Sequence, residues 1–276
     1  HAPFFLTLFS LPLAVAVARL HGERAQWRRW WLALWLALVT HPLLDAMTVY
    51  GTQLALPLSN HPFGVGSVFI IDPLFTLPLL VGTGWALASR GSTRGLAANV
   101  AGLALAMAYL AWGAAAQQQV ERIARASLAE QGVAVERLLV TPTAFNTLLW
   151  RVVAIADDSY HEGFYSLLDA SPRVWFDRFD RGTPLLAEVR AIDGVQRIRD
   201  FSKGFYALRQ DGSRIVISDL RMGQEPTYIF SFAVAERHSA AVPLPAPVQV
   251  GSRPELGPAL GWLWRRALGE PLPPPR

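Results

Sequence analysis

The feature that most constrains this chain is where its charge is missing. Of 25 basic and 21 acidic residues in 276, only nine lie in the first 120 positions: Arg19, Glu23, Arg24, Arg28, Arg29, Asp45, Asp72, Arg90 and Arg94. A soluble domain spreads ionisable residues over its whole surface, whereas a lipid-facing segment cannot afford them. With 52% hydrophobic and 17% charged residues overall, intrinsic disorder and an ordinary globular enzyme are both disfavoured. The chain reads as two regimes, a membrane part and a more polar part.

Four apolar stretches approach the length needed for a hydrocarbon core of about 30 Å. They run from about Pro3 to Ala18, Trp30 to Thr48, Val68 to Ala88 and Leu96 to Ala116. Gly102, Ala104, Ala106 and Ala108 in the fourth suit close helix packing. The loop from Arg19 to Arg29 carries four arginines, that from Ser89 to Arg94 carries two, and the long loop from Val49 to Ser67 has none. The positive-inside rule then puts the first and third connections in the cytoplasm, and the second connection and everything after Gln117 outside. Trp27, Trp30, Trp31 and Trp112 fit interfacial anchoring. The net charge of +4 is too small and too dispersed for a nucleic-acid surface. The absence of cysteine excludes disulfides, thiolate metal sites and cysteine nucleophiles.

Past the fourth stretch the pattern changes. Residues 117–135 read as a polar connecting helix, with Glu121 and Arg125 spaced one turn apart. Leu148 to Ala156 and Tyr160 to Leu168 flank Asp157-Asp158-Ser159, while Gly204 to Arg209 and Arg214 to Asp219 flank Gln210-Asp211-Gly212-Ser213, so both read as hairpins. Thr227 to Glu236 reads as a further strand. The expected fold class is α+β: a polytopic transmembrane helical bundle over residues 1–116, followed by a small antiparallel β domain outside the membrane over 136–240. Residues 241–276 read as a Pro-rich tail, with Leu260 to Leu268 as a short helix.

Chemistry concentrates in Thr40-His41-Pro42-Leu43-Leu44-Asp45. On a helix His41 and Asp45 share one face, so an imidazole nitrogen and a carboxylate oxygen can converge on one metal ion. Asp45 and Asp72 are the carboxylates inside the apolar stretches, where burying a charge is costly and points to function. In the orientation above, His1, His41, Asp45 and Asp72 fall at one depth on the outer side, with His61 in the arginine-free loop as a further candidate. The bland alternatives are a backbone-bonded His41, a capping Asp45, and an Asp72 that simply caps a helix beginning at Pro73. There is no G-x-S-x-G elbow for a serine hydrolase. Asp157 with Asp158 and Asp177 with Asp180 read as turn and strand-end residues, and Arg173, Trp175, Phe176, Arg178 and Phe179 as a sheet edge or core.

The run from Thr40 to Gln53, then Leu56-Pro57-Leu58-Ser59 and Phe69-Ile70-Ile71-Asp72-Pro73-Leu74, resembles the bacterial membrane-bound metal-dependent hydrolases of the YbcI/YdjM-like inner-membrane family. The segment Thr141 to Arg151 and the β domain look like the long members of that family. His1-Ala2-Pro3-Phe4-Phe5 is similar to the end of its histidine-rich motif, so His1 reads as a cut end with further ligands upstream. The resemblance implies a metal-dependent hydrolase; the residues themselves suggest His1, His41 and Asp45 as metal ligands, with Asp72 as a further ligand, a general base or a carboxylate that orients an imidazole. Such a ligand set suits zinc, with manganese or iron as alternatives. The expected setting is a bacterial inner membrane, with lipids as neighbours and a lipid-like or envelope ester or phosphoester as substrate. The rival reading is a non-catalytic envelope protein whose intramembrane polar groups hold helices together and whose β domain binds a partner. A transporter finds no repeat or continuous polar path.

Overall fold

The computed structural model describes residues 2–237, 240–251 and 256–276. The chain divides into two compact units, residues 1–114 with 144–146, and residues 115–143 with 147–276.

The first unit is helical: α1 (Pro3–Leu20), a 3-10 turn (Arg24–Gln26), α2 (Trp27–Asp45), α3 (Pro73–Ala88) and the start of α4 (Thr93–Glu130). Helices α1 and α2 form an antiparallel hairpin. Indole N–H groups of Trp31 and Trp35 donate to Ser10 Oγ at 3.0 Å and Thr7 Oγ1 at 2.9 Å, the short polar bridges that join helices where water is scarce. Glycine sets the α3–α4 approach. A Cβ added to Gly102 would stand 2.3 Å from the Pro78 carbonyl oxygen, and one on Gly82 would stand 2.8 Å from that of Ala98. Beside this crossing Thr83 Oγ1 donates to Asn99 Oδ1 at 3.3 Å.

The expectation of a four-span polytopic bundle is corrected here. Among the described residues two helices, α1 and α4, are long and apolar enough to cross a membrane. Helix α2 starts at Trp27 and takes in Arg28 and Arg29 as well as Asp45, which dilutes its apolar character. Helix α3 has 16 residues, about 24 Å at 1.5 Å per residue, short of the hydrocarbon thickness. The apolar run from Val68 does not lengthen it, because Asp72 caps the helix and Pro73 occupies its first turn. Large apolar side chains nevertheless face outward on every one of these helices, among them Phe9, Leu36, Leu80 and Leu103. Exposed apolar surface of this extent belongs against lipid or another protein.

The second unit is α+β. Strands β1 (Arg137–Pro142), β2 (Leu149–Ala156), β3 (Ser159–Ser166) and β4 (Phe176–Asp180) form an antiparallel sheet in chain order. Helices α5 (Thr183–Val189) and α6 (Asp193–Phe201) follow. Next come β5 (Tyr206–Asp211), β6 (Arg214–Asp219), the short ribbon β7 (Gly223–Gln224) with β8 (Thr227–Tyr228), then β9 (Ser231–Arg237) and β10 (Ala241–Gln249). The second sheet has the order β10-β9-β6-β5. The β2–β3 hairpin closes with Ala156 opposite Ser159, leaving Asp157 and Asp158 as the turn. The β5–β6 hairpin closes with Asp211 opposite Arg214 around Gly212, whose positive φ of 59° suits glycine. The end of α4 joins this unit: Val120 and Ala124 pack with Val140, Trp150 and Val152 in one apolar core. The Glu121–Arg125 pair forms at 2.7 Å.

Residues 241–276 are not simply a tail. They supply β10 and helix α7 (Leu256–Ala267). Trp262 and Ala267 pack on Leu149 and Phe164, Ser166 Oγ donates to the Ala267 carbonyl at 2.6 Å, and Arg266 forks onto Asp169 at 2.5 and 2.7 Å. These contacts join sequence-distant groups, so composition shows the proline-rich segment and its short helix but not where they pack.

Candidate functional site

The C-terminal turn of α2 carries His41 and Asp45, and the helical repeat places them one above the other. His41 Nε2 stands 3.4 Å from Asp45 Oδ2, with side chains 59% and 37% exposed. The backbone under Asp45 is secured where the helix ends: its carbonyl accepts from Thr48 Oγ1 at 2.6 Å and from Thr48 N at 3.0 Å. The following loop folds back on this end. Val65 N donates to the Ala46 carbonyl and Ser67 N to that of Met47, both at 2.9 Å, while Thr52 and Phe63 form an antiparallel bridge. Gly51 makes the turn possible, since a Cβ there would meet the Phe63 carbonyl at 2.4 Å. The loop thus returns the chain to the α2 terminus just before α3 begins.

Asp72 opens α3 and is buried, 3% exposed. One carboxylate oxygen accepts from Leu74 N at 3.0 Å, the N-cap bond, and the other from Tyr109 Oη of α4 at 2.7 Å. Its carbonyl also accepts from Thr76 Oγ1 at 2.9 Å. Asp72 therefore starts α3 and binds it to α4. His61 lies exposed in the loop, edge-on to the Phe63 ring at 5.0 Å. His1 lies outside the described residues.

The structure brings His41 and Asp45 together. No group of three or more His, Cys, Asp or Glu able to hold a metal occurs among the described residues. The pair's spacing can still be compared with metal chemistry. In a tetrahedral site with metal–nitrogen and metal–oxygen bonds of about 2.0 to 2.2 Å, the nitrogen–oxygen edge is about 3.4 Å. The observed separation equals that edge, so the two donors fit two adjacent corners of such a site.

These residues sit in the part of the chain that has known relatives. Residues 1–120 match the family model of the YdjM inner membrane protein. The matched stretch contains α1, α2, the folded loop, α3 and most of the apolar part of α4, and with it His41, Asp45, Asp72 and Tyr109. Over this region the chain is similar to that inner membrane family, in keeping with its outward-facing apolar helices. No similar curated protein and no similar solved structure was found for the chain.

Sequence reasoning missed a second polar centre, beyond the YdjM-like region. Arg151 on β2 and Glu162 on β3 are buried side by side at 2.5 Å, 5% and 0% exposed. Arg151 also donates to the Leu220 carbonyl at 2.7 Å and stands over the Tyr228 ring at 5.8 Å. Burial opposes the charge on Arg151, yet neighbouring Glu162 holds its pKa above the ordinary guanidinium value. Burial likewise pushes the Tyr160 and Tyr228 hydroxyls up, so both stay protonated, and Tyr160 donates a short hydrogen bond to Glu225. The available signal was the hairpin itself: with Arg151 opposite Phe164, Glu162 is its diagonal neighbour on the same face.

Proposed function

We propose that this protein is an integral membrane hydrolase using a divalent metal, zinc in the first instance, held at the end of α2 by His41 and Asp45. The observation that carries the proposal is the 3.4 Å separation of His41 Nε2 and Asp45 Oδ2, which matches a ligand edge. The likeness of residues 1–120 to inner membrane proteins supports the setting.

When bound, a divalent ion supplies Lewis acidity and a water acidified toward neutrality. The chain's own residues contribute position. A helical pair one turn apart requires little ordering to converge. His41 Nε2 and Asp45 Oδ2 are the donor atoms offered to the ion. Thr48 holds the backbone under Asp45, and Asp72 fixes the start of α3 through its cap and through Tyr109. A substrate with an ester or phosphoester near the membrane surface, lipid-like or from the envelope, suits this location. The test is turnover by the membrane-embedded protein on a panel of lipid esters and phosphoesters, with H41A and D45A as controls. Metal-dependent hydrolysis lost in both variants supports the proposal; hydrolysis equal to wild type in both overturns it.

A second reading is favoured at one position. Both Asp72 carboxylate oxygens are engaged within the fold, one on the helix cap and one on Tyr109, which makes Asp72 a structural or positioning carboxylate in preference to a general base.

A further inference from the structure

The second unit holds a site for a cation that the metal proposal does not use. An open cleft of about 580 Å³ is lined by residues of β4, by Glu225 and Pro226 between β7 and β8, and by Pro273, Pro274 and Arg276. Arg276 enters it from the C-terminal segment. Its Nη1 donates to Glu162 Oε1 at 2.7 Å and to the Glu225 carbonyl at 3.0 Å, and its Nη2 donates to Asp177 Oδ2 at 2.6 Å. The guanidinium also lies over the Phe179 ring at 4.7 Å. Two carboxylates, a carbonyl and an aromatic face together suit a planar guanidinium.

This cradle exists apart from its occupant. Glu162 is fully buried and fixed from behind by Arg151 and by Glu225 N at 3.2 Å. Phe179 is stacked on Tyr160 at 5.3 Å, and Tyr160 in turn holds the Glu225 carboxylate. Glu162, Asp177 and Glu225 face a single buried arginine, Arg151, while Arg178 at the cleft pairs with Asp158. The cleft therefore has an excess of negative charge that a cation offsets. The segment that delivers Arg276 is lightly held by comparison. Glu270 is anchored to Arg265 at 2.6 Å, but past it the segment has no helix or strand, its prolines Pro271, Pro273 and Pro275 are exposed, and Gln224 Nε2 donates to the Pro275 carbonyl at 3.2 Å.

We propose that this cleft is a guanidinium-binding site and that Arg276 occupies it as a tethered, displaceable ligand. The external ligand is an arginine side chain or a small molecule bearing a guanidinium. Release of Arg276 by that ligand frees the proline-rich segment 271–276, beyond the Glu270–Arg265 pair.

The test uses the full chain in lipid nanodiscs and titrates N-acetyl-arginine amide, N-acetyl-lysine amide and the peptide Pro-Pro-Pro-Arg by calorimetry. A short tether competes at a millimolar effective concentration, so R276A should bind a ligand of about 0.1 mM affinity about tenfold more tightly than wild type. R276A/D177N should lose at least that gain, since Asp177 is exposed enough to change without harming the fold. The lysine amide should bind more weakly than the arginine amide. A peptide that outbinds the arginine amide identifies a polypeptide arginine as the ligand, and equal binding identifies the side chain alone; both support the site. Equal affinities in wild type and R276A, or no discrimination between arginine and lysine, overturn it. If R276A lowers the stability of the second unit, added peptide must restore it through binding, and failure to do so also overturns the proposal.

Discussion

Replacing Glu162 by Gln tests whether the buried ion pair is what holds β2 and β3 at the heart of the second unit. The substitution keeps size and one acceptor oxygen but removes the charge facing Arg151, which is 5% exposed and cannot turn to water. Arg151 would retain the Leu220 carbonyl and the Tyr228 hydroxyl, neither of which neutralises it. Breaking a buried pair from one side costs about 3 to 5 kcal/mol, and the surviving acceptor argues for the lower end, about 3 kcal/mol. For a unit of this size that is a fall of roughly 6 to 12 °C in Tm. The sharper assay is amide hydrogen exchange of β2 and β3 in the full chain, where 3 kcal/mol corresponds to exchange faster by roughly two orders of magnitude. The double variant R151M/E162L should recover most of the loss, because apolar residues of similar volume replace a buried pair at little cost. Exchange in E162Q within a factor of five of wild type would refute the reasoning, and so would a double variant less stable than E162Q.

Two further outcomes follow from packing and charge. G102V should force α3 from α4, since its first added carbon would lie 2.3 Å from the Pro78 carbonyl; a disulfide between T83C and N99C, introduced into this cysteine-free chain, should form in the Gly102 background and fall by more than half in G102V. His161 has its pKa lowered from 6.5, first by burial and then by Arg178, so the unfolded chain takes up a proton before the folded one. Stability of the second unit should therefore decline as pH falls through 6.5 toward the lower folded value, and H161Q should flatten that limb in denaturation curves.

The membrane character was legible because charge is excluded from lipid, and nine acidic and basic residues in 120 leave a visible gap. Span lengths were not. Val68 to Ile71 look like the start of a helix by hydropathy, but the cap at Asp72 and Pro73 decides where α3 begins, and the apolar run before them is loop. At the other end Arg28 and Arg29 belong to α2 because the helix follows directly from the 3-10 turn. The hairpins were readable from turn chemistry, since Asp157-Asp158 and Asp211-Gly212 favour tight reversals. Helices α5 and α6 were not, being seven and nine residues long, too short to establish a period. At the candidate site, the helical spacing of His41 and Asp45 made their meeting readable, whereas Tyr109 as the partner of Asp72 is 37 residues away and depends on how α3 meets α4. Arg276 reaching Glu162 across 114 residues is likewise a product of tertiary folding.

The most direct test of the central claim is the metal content of the full-length protein purified from membranes, measured by elemental mass spectrometry beside H41A and D45A. About one equivalent of a divalent transition metal per chain is expected in wild type, lost in each variant. Metal content unchanged in both variants would contradict it.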